Sequence, residues 1–230
     1  MFNNKLKAVT FSYDDGVTQD QRLIGILNKY GLKCTFNINS ELLGQPGSLI
    51  REDVTVAHVK PRPCEIKKIY SGHEVAVHTL THPNLTGLDD KEIIRQVEQD
   101  RKNLEKLVGY DVVGMAYCCG GKNFDDRVVE IISENTKMQY ARTIISSYNF
   151  DLQKDLLRFR PTVHHTEWEK LFELGENFVN LQTDEPKLFY IWGHSYEFDI
   201  DDSWDRFEEF CKLISGRDDI FYGTNAEVLL

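Results

Sequence analysis

Lys7-Ala8-Val9-Thr10-Phe11-Ser12-Tyr13-Asp14-Asp15-Gly16 is the stretch on which the fold turns. Residues 7–12 centre on Val9, Thr10 and Phe11, residue types that suit a strand. Asp14-Asp15-Gly16 is turn chemistry. Just beyond it, Leu23, Ile24, Ile26 and Leu27 share one side of a helix that Thr18 can cap and that stops near Gly31. Cys34 to Asn39 reads as a second strand. A strand, a turn, a helix and another strand make one parallel crossover unit.

The unit recurs along the chain. Residues 74–78, 112–117, 138–144, 159–163, 187–192 and 220–222 read as strands. Helices are expected at 65–70, from Asp89 or Asp90 through Leu107, and at 125–134, 166–174 and 204–214. Residues 41–63 hold Gly44, Gly47 and three prolines, and are expected to be a long loop. About seven or eight such units fit one α/β domain, a (β/α) barrel of mostly parallel strands spanning residues 1–230, better than two domains. No linker, low-complexity tract or internal repeat interrupts it.

The 230 residues carry 27 Lys and Arg against 37 Asp and Glu, a net charge of −10. Nucleic acid is therefore not expected as a partner, since phosphate binding needs a basic surface. An anionic membrane is disfavoured for the same reason. No apolar run has the length of a signal peptide or a bilayer span. The five cysteines are odd in number and form no C-x-x-C pair, which suits free thiols in the cytoplasm.

Polar residues gather at the ends of the strands. Asp14 and Asp15 follow the first, His78 and His82 the Val75-Ala76-Val77 strand, and Tyr117 to Gly121 the Met115 strand. Arg142 and His194 close two more. In a parallel barrel these ends form one mouth, where active sites lie. Asp14-Asp15-Gly16 by itself is ordinary turn chemistry. His78-Thr79-Leu80-Thr81-His82-Pro83 says more, because His-x-x-x-His can place two imidazoles on one metal. Two histidines and a carboxylate form a facial set with open positions for water and substrate. One aspartate can bind a divalent metal while its neighbour serves as base, and His194 can protonate a leaving amine.

In this order, the motifs resemble the polysaccharide deacetylases of carbohydrate esterase family four, the chitooligosaccharide-deacetylase homology domain. That family's Thr-Phe-Asp-Asp-Gly is similar to Thr10-Phe11-Ser12-Tyr13-Asp14-Asp15-Gly16, which carries two extra residues. Its His-Ser/Thr-x-x-His-Pro is matched in full by residues 78–83. Gly72-His73-Glu74-Val75 looks like its approach strand, and Trp192-Gly193-His194 like its late histidine. The resemblance implies a distorted (β/α) barrel with Asp14 as catalytic base. Asp15, His78 and His82 would be the ligands of a divalent metal, zinc first, with cobalt, iron or nickel as alternatives. His194 would be the acid. The implied reaction is hydrolysis of an N-acetyl group on an amino sugar, with metal and a backbone N–H stabilising the oxyanion.

One motif departs. Where the family has Arg-Pro-Pro-Tyr-Gly, whose arginine orients the aspartate, this chain has Tyr117-Cys118-Cys119-Gly120-Gly121. Arg142 is the candidate replacement, with Arg160 behind it. Tyr117, Gly120 and His165 are the candidate substrate contacts. The substrate expected is an N-acetylated carbohydrate or a related small amide. Competing readings are an O-acetyl esterase, a non-sugar C–N hydrolase on the same scaffold, and a weakly active metal- or glycan-binding protein. A cysteine nucleophile is disfavoured for lack of a visible base.

Overall fold

The computed structural model describes residues 2–51 and 53–230. In chain order its elements begin with β1 (Lys7–Asp14), α1 (Asp20–Lys29) and β2 (Cys34–Ile38). A hairpin, β3 (Ser48–Arg51) and β4 (Val54–Ala57), precedes α2 (Ile66–Ile69) and β5 (Glu74–Val77). Then come α3 (Asp90–Ile94), α4 (Asp100–Val108), β6 (Gly114–Ala116), α5 (Asp126–Asn135) and β7 (Tyr140–Arg142). The chain closes with β8 (Val163–His164), α6 (Trp168–Asn180), β9 (Lys187–Gly193), α7 (Glu197–Ile200), α8 (Trp204–Ile214), β10 (Ile220–Tyr222) and α9 (Asn225–Leu229).

Seven strands pair in the order β7-β6-β5-β2-β1-β9-β8, every pair parallel. β10 joins β1 beside Lys7 to Val9, on the edge that β2 takes over from Phe11 onward. All eight residues of β1 are buried, so it lacks the alternation of a half-exposed strand. The curled sheet nearly closes. Phe159 bridges Arg142 of β7, and four residues later β8 pairs with β9. This is the distorted (β/α) barrel that the strand–helix alternation predicts.

Three local expectations change. Thr18 does not cap α1; its hydroxyl turns to Gln19 Oε1, and Asp20 accepts the Val17 N–H instead. Residues 41–63 are not simply a loop, because Ser48–Arg51 and Val54–Ala57 pair antiparallel as a separate two-stranded sheet. The helix begun at Asp89, whose carboxylate caps it by accepting from Glu92 N–H, is broken by a π-helical segment at Arg95–Gln99. That segment faces the site. Gln96 accepts the Leu80 N–H through its carbonyl and the Thr81 N–H through its side chain, at 3.0 and 3.1 Å. Buried Asp100 accepts the backbone N–H groups of Ser40 and His78. The turn between the two site histidines is thus held from behind, a common use of a π-bulge.

Candidate active site

The mouth of the barrel contains a cleft of about 420 Å³ lined by Asp14, Asp15, His78, His82, Tyr117, Gly120 and His194 among others. Three non-glycine residues on its walls lie in the left-handed region, Asp15 (φ 78°), His82 (62°) and Cys119 (69°), as does buried Thr79 (63°) behind them. Such strain costs of order 1–3 kcal/mol each and collects at functional sites. Gly16 (φ 58°) makes the Asp15 turn feasible, since a Cβ there would stand 2.9 Å from Ile38 Cγ2.

Asp14 ends β1 and is almost fully buried. Its Oδ2 accepts a hydrogen bond from an Arg142 guanidinium N–H, and its Oδ1 accepts from Asn37 Nδ2 at 2.8 Å. Burial alone would raise this carboxyl; Arg142, then His78 and His194, outweigh it and hold the pKa below the usual carboxylate value. Arg142 has no exposed surface. Its NH1 donates to the Thr143 carbonyl at 3.1 Å, Nε to Ser12 Oγ at 3.3 Å, and its plane lies 4.3 Å from the Trp192 ring centroid. The guanidinium absent from residues 117–121 thus reaches the aspartate from the next strand.

Asp15 points its other way into a ring of imidazoles. Its Oδ1 lies 3.8 Å from His78 Nε2 and 3.5 Å from His82 Nε2, and its Oδ2 3.1 Å from His58 Nε2. Lys60 Nζ donates to its backbone carbonyl. Burial opposes ionisation, but the His58 hydrogen bond, His194 and Lys60 hold Asp15 well below the usual range. His78 Nδ1 sits 2.9 Å from the Ala116 carbonyl, so that nitrogen carries the proton and Nε2 presents a lone pair. Burial lowers the His78 pKa to about 4, which keeps the ring neutral as a metal ligand must be.

These donors fit a divalent cation. Two metal–ligand bonds of about 2.1 Å at a tetrahedral angle place their ligand atoms roughly 3.4 Å apart, close to the spacing of Asp15 Oδ1 from each imidazole nitrogen. Cys118 also brings a donor atom within 4.8 Å of His78 and His82. However, its thiol donates to the His78 carbonyl at 2.8 Å, and burial pushes its pKa well up. Asp15 Oδ1, with no such commitment, offers an oxygen to the same two imidazoles.

His194 follows β9. Its Nδ1 lies 3.3 Å from Glu197 Oε2, off the angle of a good hydrogen bond, while its backbone N–H donates to the same oxygen at 2.9 Å. Burial would lower the His194 pKa; Glu197 first, then Asp15 and Asp14, raise it to about 9. The imidazole is therefore a cation at neutral pH and can give up a proton. Gly193 is required here because a Cβ would come within 2.0 Å of His165 Nδ1.

The expected substrate contacts fare unevenly. Gly120 is exposed on the cleft wall. Tyr117 lines the cleft but is spent: its hydroxyl donates to the Leu157 carbonyl, its N–H to the Arg142 carbonyl, and its ring stacks on Phe124. His165 is a correction. It has no exposed surface and stacks on Phe198 at 4.3 Å and Tyr13 at 5.4 Å, because the chain turns inward between β8 and α6. Arg160 is also elsewhere, with its guanidinium on the Ser146 carbonyl. His58, Lys60, Asn37 and Glu197 escape the sequence reading. Asn37, at the end of β2, obeys the strand-end rule and was findable; His58 carries no local signal.

A parallel barrel whose strand ends present two carboxylates, an arginine and three imidazoles around one cleft has the layout of a barrel hydrolase. The chain belongs to the polysaccharide deacetylase family, whose sequence model matches residues 3–140. It is 28% identical over 109 residues to the peptidoglycan-N-acetylmuramic acid deacetylase PdaC of Bacillus subtilis (strain 168). That match covers 47% of this chain and 20% of the relative, so the chain spans a fifth of that protein's length. The structure of Bacillus subtilis PdaC superposes with a TM-score of 0.55 and 21% identity, over 98% of this chain and 90% of that one. A CE4 family pseudoenzyme from Bacillus anthracis gives 0.55 and 19%, over 99% and 66%. At these identities the superpositions bear on the fold. Among the described residues, no helix is long and apolar enough to cross a membrane.

Proposed function

We propose that the protein is a metal-dependent deacetylase, hydrolysing the acetyl group of an N-acetylated sugar or a related small amide. The observation that carries this reading is the arrangement of pairs across the cleft: Asp14 gripped by Arg142 and His194 set against Glu197, with the Asp15, His78 and His82 donors between. A divalent cation at those donors, zinc by their chemistry, would supply Lewis acidity and bring the pKa of water toward neutrality. Asp14, held ionised by Arg142, takes the proton of the attacking water. A carboxylate this acidic accepts only from water already made acidic, which is why base and donor set belong together. His194 then gives its proton to the departing nitrogen, and Glu197 holds the ring as it does so. Asn37 and Arg142 fix both oxygens of Asp14, so little reorganisation is left for the reaction.

Size and compartment support a small substrate. A cleft of about 420 Å³ lies within the range of small-molecule sites. All five cysteines are free, with Cys34, Cys118 and Cys211 buried, which suits a reducing cytoplasm. The test is acetate release from N-acetylglucosamine oligomers, N-acetylated small molecules and O-acetyl esters. Protein stripped of metal and reloaded with zinc or cobalt is compared with Asp14→Asn. The reading expects metal-dependent release, with Asp14→Asn roughly 10²–10⁴-fold slower yet still holding metal, the usual worth of a general base. Release that survives metal removal, or an unimpaired Asp14→Asn, would refute it. Preference for the esters would move the assignment to the O-acetyl esterase.

A further inference from the structure

Beside the cleft, three imidazoles converge on one carboxylate oxygen. Glu197 Oε2 lies 3.4 Å from His164 Nε2, 3.4 Å from His165 Nε2 and 3.3 Å from His194 Nδ1. One donor atom each from His164, His194 and Glu197 lie within 4.8 Å of one another. We propose that His164, His194 and Glu197 form a second site for a divalent cation of the zinc type, separate from Asp15, His78 and His82.

Three features point to a ligand rather than to a plain ion pair. Two imidazoles and a carboxylate are a recurrent zinc donor set, and three protein donors leave a position open. His194 Nδ1 and His165 Nε2 are buried, and neither has a hydrogen-bond partner among the described residues. Buried nitrogens left bare are costly, and a cation at this site would use that of His194. His164 Nδ1 accepts the Thr166 backbone N–H at 3.3 Å and lies 2.7 Å from Thr166 Oγ1, which fixes the ring with Nε2 aimed at Glu197. Nearby Trp192 packs edge-on against His164 at 4.4 Å and limits its swing. The elements that supply the donors are distinct: β8 gives His164, the end of β9 gives His194, and α7 gives Glu197.

Occupation has a consequence that rests on the function proposed above. The cation would hold the His194 ring through Nδ1 and fix the group proposed above as the acid in a ligand's position. A second equivalent of zinc would therefore slow turnover rather than support it.

The experiment counts metal and needs no substrate. Stripped protein is titrated with zinc alone, and bound metal is read by native mass spectrometry and calorimetry. Two zinc ions per chain are expected in the unaltered protein. His164→Gln should lose the weaker equivalent and keep the tighter; His78→Gln should do the reverse. One zinc in the unaltered protein, or two in His164→Gln, would overturn the second site without touching the deacetylase reading. Nitrogen NMR of the histidine rings provides a measurement that no variant can spoil. The second equivalent must move His194 Nδ1 and His164 Nε2, and unchanged shifts would also overturn the proposal. Inhibition by excess zinc in the unaltered protein but not in His164→Gln then tests the consequence; zinc bound at the second site without inhibition would remove only His194 as the acid.

Discussion

Arg142→Met is the perturbation from which most can be learned. The guanidinium has no exposed surface and grips an almost fully buried carboxylate. Removing one partner of a buried ion pair typically costs about 3–5 kcal/mol, because the other charge stays behind uncompensated. For a chain of this size each kcal/mol lowers the melting temperature by about 2–4 °C, so a fall of roughly 6–20 °C is expected. Asp14→Asn added to Arg142→Met removes the stranded charge and should restore more than half of that loss, a coupling readable as a double-mutant cycle. Activity reports the same interaction independently. The folded-state pKa of Asp14 is depressed, so its ionised form is favoured down to low pH. Without Arg142 the burial term is unopposed and the carboxyl titrates higher, which moves the acid limb of the rate profile up in pH. Arg142→Lys keeps the charge but loses the fork, and should fall between. Calorimetric melting and a pH–rate profile make the assay. A melting temperature within about 3 °C of the parent, together with an unmoved acid limb, would refute the reasoning.

Other consequences can be checked in the same way. Glu197→Gln should lower the His194 pKa from about 9 and bring the basic limb of the rate profile down with it. Because that pKa is raised in the folded state, the pair's stabilisation is complete below about pH 6.5. It should fade as pH rises through about 9, by on the order of 3 kcal/mol shared between the two groups, as denaturant melts at several pH values would show. Gly193→Ala drives a Cβ into the His165 ring, and overpacking of this kind costs about 1–3 kcal/mol or more, visible as a lower melting temperature. His58→Ala removes the hydrogen-bond partner of Asp15 Oδ2; zinc affinity at the first site should drop roughly 10–100-fold by competition with a chelator.

The site was partly legible because much of it lies at strand ends. β1, β5 and β9 announce themselves by composition, so Asp14, Asp15, His78, His82 and His194 could be placed on one face. Arg142 was nameable for the same reason, as the last residue of a strand. Its contact with Asp14 was not, since 128 residues separate them. His58 belongs to a stretch whose prolines and glycines suggest only a loop, yet the β3–β4 hairpin carries it to Asp15. His165 misleads in the opposite direction: its neighbour His164 reaches the cleft cluster while it turns into the aromatic core.

What the amino-acid sequence determined alone was local and periodic. Apolar runs, turn residues and caps act over a few positions, so they specify strands, helices and the polarity of each strand end wherever the chain is read. What only the tertiary structure decided was pairing. Which cation neutralises Asp14, which carboxylate charges His194, and which imidazole is buried depend on how a sheet curls until Phe159 meets Arg142 and β8 meets β9. Those partners are set by the geometry of closure and by the cost of leaving a buried charge alone, and neither is written in the spacing of residues along the chain.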